Sequence, residues 1–139
     1  RRRFVYRIAV LTDLKHEGEH YAKVIKNYCI NQKLFPMLKT YQNQEVFFKD
    51  IQTNIPDIVL LVLPGVDGLN AVEHLRSLFP GCGIIWCSNL DFSLHAFRLR
   101  IEYFFLEPVR EYDIQEGLKA WFRFKKIHFK RLQIQEEKE

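Results

Sequence analysis

The chain has 139 residues, 47% of them hydrophobic, which is enough for one ordinary core and too few for two. Its net charge of +4 gathers at the two ends, in Arg1 to Arg7 and Arg123 to Arg131, so no basic face for nucleic acid runs across the middle. No apolar run approaches the roughly 20 residues that span a bilayer, and none follows the first arginines as in a signal peptide, so a soluble cytoplasmic protein is expected.

The segment Arg7 to Thr12 is a continuous apolar run ending in polar residues, as in a strand buried on both faces of a parallel sheet. Glu17 to Ile30 carries Tyr21, Val24, Ile25 and Tyr28 at helical spacing. A second strand is predicted over Phe35 to Thr40, and a second helix over Asn43 to Thr53 with Val46, Phe47 and Ile51 on one face. Asp57 to Leu63 is the most hydrophobic stretch and the candidate central strand, closed by the turn Pro64-Gly65. Asp67 is the candidate cap of a third helix running to Phe79, with Leu69, Val72, Leu75 and Leu78 as its apolar stripe. Gly83 to Cys87 reads as a fourth strand, and Asp91 to Leu99 as a fourth helix with Leu94 and Phe97 inward. Tyr103 to Leu106 reads as a fifth strand, and a last helix starts at Arg110 with Ile114, Leu118 and Trp121 on one stripe.

Strict β-α alternation predicts an α/β domain: a doubly wound five-stranded parallel sheet with helices on both faces. Ligands of such sheets collect beyond the carboxyl ends of the strands, which here present Thr12, Asp13, Val62 to Gly65, Ser88, Asn89 and Glu107. Three cysteines, Cys29, Cys82 and Cys87, are an odd count without metal-like pairing, so buried thiols are expected in place of disulfides or a zinc site.

Four pieces stand in order along the chain: Pro56-Asp57-Ile-Val-Leu-Leu, Leu63-Pro-Gly-Val-Asp-Gly-Leu69, Ile84-Ile-Trp-Cys-Ser88, and Asp91-Phe-Ser-Leu-His-Ala-Phe97 leading to Tyr103-Phe-Phe-Leu-Glu-Pro108. On these, residues 7 to 122 resemble the receiver domain of bacterial two-component response regulators, especially the variety joined to a LytTR-type DNA-binding domain, and the resemblance implies a CheY/flavodoxin-like sheet in the strand order 2-1-3-4-5. Family chemistry needs two acids after the first strand, an acceptor aspartate ending the third, a hydroxyl after the fourth and a lysine after the fifth. The carboxylates hold Mg²⁺, and the lysine and hydroxyl bind the phosphoryl oxygens.

Against that pattern the phosphorylation pocket is degenerate. Thr12 and Asp13 stand for the two acids, so Mg²⁺ binding is expected to be at most weak, through Asp13, and no cofactor is expected. The acceptor position falls on Leu60 when counted from the turn, or on Val62 when counted from Pro56-Asp57, because the segment is about two residues shorter than the family pattern. Ser88 fits the hydroxyl, and Glu107 replaces the lysine, an exchange of cation for anion that would repel a phosphoaspartate. Glu107 is expected to engage Ser88 or Thr12.

The resemblance implies a switch aromatic at Phe104 and a homodimer through the fourth helix, fifth strand and last helix, with Arg98, Arg100, Glu102, Arg110, Glu111 and Asp113 as a two-signed face. It also implies a possible sensor kinase partner and no membrane partner. Residues 123 to 139 are expected as a helical extension toward a DNA-binding domain outside this chain. The resulting expectation is a non-enzymatic pseudo-receiver acting in transcription regulation. One alternative is a phosphorylatable receiver with a displaced acceptor, Asp57 or Asp67. Another is a flavodoxin-like cofactor-binding or redox protein, for which the loop after Thr12 lacks a glycine-rich cradle and Cys82 and Cys87 lack redox spacing.

Overall fold

The computed structural model describes residues 6–123. The elements are β1 (Arg7–Thr12), α1 (Lys15–Asn31), β2 (Met37–Tyr41), α2 (Gln44–Asp50), β3 (Ile58–Val62), α3 (Gly65–Leu78), β4 (Gly83–Ser88), α4 (Ser93–Arg98) and β5 (Tyr103–Leu106), followed by α5 over 111–123. All strand pairs are parallel, in the order β2-β1-β3-β4-β5. This is the predicted doubly wound sheet. The extension over 123–139 lies outside the described residues, Arg123 excepted.

Alternation of side chains across the sheet divides the core into two layers. Ile8, Val10, Leu60, Val62, Ile85 and Cys87 pack toward α1 and α5, while Ala9, Leu11, Val59, Leu61, Ile84 and Trp86 pack toward α2, α3 and α4. Because β3 and β4 are covered on both faces, every residue of both strands is buried. Helix α5 approaches β4 closely through two glycines. A Cβ on Gly83 would stand 2.5 Å from the Trp121 ring, and one on Gly117 2.7 Å from Ile85. Cys29, Cys82 and Cys87 are buried thiols, as expected. Burial pushes Cys29 up to about 11.

Several local expectations need correction. Strand β2 lies one to two residues later than Phe35 to Thr40, and Phe35 itself is exposed. Helix α2 stops at Asp50, buries Phe47 and leaves Val46 in solvent. Helix α3 opens at Gly65 with Pro64 in the cap position, so Asp67 sits in its first turn and does not cap it. Leu78, at the end of the α3 stripe, is exposed.

The largest revision concerns α4. Leu94 and Phe97 point to solvent, and Ala96 faces the core with Phe92 and Leu99. Two apolar stripes compete there, 94/97 and 92/96/99. The second prevails because Phe92 stacks on Trp86, with ring centroids 5.5 Å apart and planes 11° apart.

Candidate functional site at the carboxyl ends of the strands

The parallel register brings the strand ends together. Thr12 lies opposite Val62, Val62 opposite Cys87, and Ser88 opposite Leu106. Val62 is the residue that ends β3; Leu60 lies two positions deeper, between Val10 and Ile85. Both are buried in the α1/α5 layer. Both positions that the resemblance offers for an acceptor are therefore hydrocarbon side chains.

The polar residues around Val62 satisfy themselves locally. Thr12 is buried, and its Oγ1 accepts a hydrogen bond from the Leu14 N–H at 3.5 Å. Ser88 is fully buried, and its Oγ accepts from the Leu90 N–H at 3.1 Å. Asn89 reaches further: its Oδ1 accepts from the Gly65 N–H at 2.7 Å, tying the β4–α4 loop to the start of α3. Asp13 is exposed.

Glu107 corrects an expectation. It is exposed and its carboxylate hydrogen-bonds neither Ser88 nor Thr12; only its backbone N–H reaches the Ser88 carbonyl, at 3.0 Å. The short loop after Leu106 holds the backbone against β4 while the charged side chain keeps its hydration. Its field is nevertheless felt in the core. Burial first, then Glu107, Asp113 and Glu17, push the Cys87 thiol up to about 12. Burial, followed by the Glu17 carboxylate that accepts its hydroxyl proton at 3.2 Å, likewise raises Tyr21. In both groups burial is the leading cause and the neighbouring carboxylates add to it.

The Mg²⁺ that the receiver fold implies needs several hard oxygen ligands. At the three corresponding positions the structure offers the Thr12 hydroxyl, already bonded to Leu14, the exposed Asp13 carboxylate and the Val62 side chain. That donor set does not fit the ion. Among the described residues no three His, Cys, Asp or Glu side chains come together as a metal site.

Of the displaced candidates, Asp57 is at the amino end of β3, where its Oδ2 accepts from the Arg7 N–H at 2.8 Å. Asp67 and Asp13 line one shallow depression with Asn43, Leu63 and Pro64. Phe104 is half-buried and packs edge-on against Trp86, with centroids 4.9 Å apart.

The predicted two-signed face is only partly available. Arg98, Arg100, Arg110 and Glu111 are exposed. Asp113 is buried, accepting from Arg110 Nε at 2.9 Å and from the Tyr103 hydroxyl at 3.2 Å. Glu102 accepts from the Ile84 N–H at 2.8 Å and lies 3.5 Å from Arg76 Nη2. Both acids face inward because each caps a backbone or hydroxyl donor that burial would otherwise orphan. They are corrections to the face.

Arg76 is the important residue that sequence reasoning passed over. It is buried at 7% exposure, and its guanidinium donates to the carbonyls of Leu99 (2.8 Å), Pro80 (2.9 Å), Cys82 (2.6 Å) and Arg100 (3.0 Å). The planar fork joins the α3–β4 and α4–β5 corners into one unit. The available signal was its position, following Val72 and Leu75 on the inward stripe of α3.

No family model matches the chain. A curated relative, the positive alginate biosynthesis regulatory protein of Pseudomonas aeruginosa, is 39% identical over 67 residues, a match covering 46% of this chain and 27% of that protein, about a quarter of the relative's length. Among solved structures, a response regulator receiver domain protein from Clostridium thermocellum superposes with a TM-score of 0.73 at 14% identity, over 88% of this chain and 98% of that one. The two component transcriptional regulator AraC of Clostridium phytofermentans gives 0.69 at 20% identity, over 91% and 98%. The N-terminal domain of an uncharacterized Wolinella succinogenes protein gives 0.69 at 18% identity, over 90% and 98%. Among the described residues no helix is long and apolar enough to cross a membrane. The five-stranded parallel sheet in the order 2-1-3-4-5, its helices on both faces and these structural likenesses together give the chain the fold of a response regulator receiver domain.

Proposed function

We propose that this domain is a pseudo-receiver of a cytoplasmic, LytTR-type response regulator, controlling transcription by protein–protein contact without aspartyl phosphorylation and without enzymatic activity. The observation that carries this reading is Val62 at the carboxyl end of β3, opposite Thr12 and Cys87. Glu107 in place of a lysine supports it, since it supplies repulsion where a phosphoryl group needs a cation. The contact face is a homodimer surface on α4, β5 and α5, in which exposed Leu94, Phe97 and Leu106 accompany Arg98, Arg100, Arg110 and Glu111. DNA contact belongs to a separate domain, and a sensor kinase is a possible upstream partner.

Intact mass after incubation with Mg²⁺ and acetyl phosphate or phosphoramidate tests the reading. An unchanged mass is expected. A second reading, a phosphorylatable receiver with a displaced acceptor, is favoured by the shared depression of Asp13 and Asp67. A gain of one phosphoryl group, mapped to Asp67 by its loss in Asp67→Asn, establishes that reading instead.

A further inference from the structure

The open edge of the sheet carries features that the proposed regulatory role does not use. Among the described residues β2 pairs with β1 alone. The Met37 N–H donates to the Tyr6 carbonyl at 2.8 Å, so Met37, Lys39 and Tyr41 direct their backbone groups at β1. Alternation then turns the N–H and C=O of Leu38 and Thr40 outward, along the free edge.

A groove runs on each side of that edge. Toward α1 it is lined by Ala22, Lys26, Ile30, Leu34, Phe35 and Leu38. Toward α2 it is lined by Arg7, Met37, Lys39, Tyr41, Asn54 and Pro56. The first is apolar with one cation. The second holds two cations, Arg7 and Lys39, against one carboxylate at its margin, Asp50, to which Lys39, Tyr41 and Asn54 all donate, so a positive charge is left over. Phe35 is 77% exposed, Met37 54% and Ile30 43%, an unusual amount of large apolar surface beside one short edge strand. Lys39 gives one of its three donors to Asp50 at 2.9 Å and keeps a side chain 64% exposed.

We infer that the β2 edge is a docking site for an extended segment of a partner protein in which apolar and acidic side chains alternate. Such a segment adds a strand to the sheet, its backbone bonding the outward groups of Leu38 and Thr40. Period-2 geometry then sends its apolar side chains toward Ile30, Leu34 and Phe35 and its carboxylates toward Lys39 and Arg7. Charge complementarity identifies the occupant: a basic or purely apolar strand gains nothing from the cations of the α2-side groove.

The experiment is a titration of the ¹⁵N-labelled protein with a synthetic ten-residue peptide alternating valine and glutamate, against one alternating valine and lysine. The expected result is that the Leu38 and Thr40 amides shift, with half-saturation by the glutamate peptide at a concentration at least ten-fold lower. Phe35→Ala and Lys39→Glu are each expected to weaken it at least five-fold. Phe35→Ala touches an exposed side chain, so it stays informative if Lys39→Glu perturbs the fold. Equal response to both peptides, shifts elsewhere, or indifference to both substitutions overturns the proposal. So does concentration-dependent sedimentation with the Leu38 and Thr40 amides protected in the absence of peptide, which makes a second copy the occupant.

Discussion

At the amino ends of the strands, Arg76 joins four carbonyls from two corners, Asp57 accepts from Arg7 across 50 positions of sequence, and Glu102 accepts from Ile84. At the carboxyl ends of the same strands, Thr12 and Ser88 each bond an amide two residues away. The first arrangement is architectural: buried polar groups bridge distant segments, and losing one partner strands the others. In the second, the hydroxyls hold only their own turns. Residues that look chemically able, Arg76, Asp57 and Asp113, thus work as braces, while at the carboxyl ends the long-range side-chain tie is from Asn89 to the Gly65 N–H. Under the proposed reading, the end of the sheet without phosphotransfer chemistry is also the end with the fewer bracing side chains.

Arg76→Met is expected to break this contrast most strongly. It leaves the Leu99, Pro80, Cys82 and Arg100 carbonyls without their donor and is expected to cost about 3–4 kcal/mol in urea denaturation. Arg76→Lys should recover less than half of that, since an ammonium lacks the planar fork. A cost below about 1 kcal/mol for Arg76→Met would show that the corners hold without it. Val62→Asp places a carboxylate at the buried end of β3 and is expected to destabilise by about 1–3 kcal/mol, because burial strips its hydration and no cation stands opposite it in the strand register. Wild-type stability in that variant would mean that the carboxyl end still accommodates an acceptor.

The pH dependence sharpens the comparison from a third place, the β2–α2 corner. Hydrogen bonds from Tyr41, Lys39 and Asn54 hold the Asp50 carboxyl down to about 2. A lowered carboxylate contributes stability that is present above its ordinary value near 3.8 and lost as pH falls through 2. The Cys87 thiol, raised by burial, works in the other direction: stability is retained below its ordinary value of 9.0 and declines as pH rises toward 12. Asp50→Asn should flatten the acid limb of a melting-temperature profile and, because burial and then the Asp50 carboxylate raise the Tyr41 hydroxyl, should soften the alkaline limb as well. The smallest effect is expected from Glu107→Lys: its side chain is exposed, and stability should stay within about 0.5 kcal/mol of wild type.

The strand order and both core layers were legible because β1, β3 and β4 are buried apolar runs separated by helical periodicity. The strand ends were legible as positions: Thr12, Val62 and Ser88 are the last residues of β1, β3 and β4, with Thr12 opposite Val62 and Ser88 one step beyond that row. What pattern reasoning lost was orientation. Helix α4 is six residues long and offers two apolar stripes, and only the Trp86–Phe92 stack decides between them. Glu102 and Asp113 read as surface charge because their partners, the Ile84 N–H and the Tyr103 hydroxyl, come from other segments. Glu107 failed for the opposite reason: polar neighbours were close in the fold, but solvent solvates a carboxylate at lower cost.

The two tryptophans sit on opposite sides of the sheet, Trp86 in the layer under α3 and α4 and Trp121 in the layer under α5. Each is almost wholly shielded from solvent. The chain therefore carries its own pair of optical probes, one per layer. Replacing either with phenylalanine leaves an emission signal that follows a single hydrophobic layer through denaturation. Coincident curves would identify one cooperative unit, and separated curves would reveal which half of the molecule lets go first.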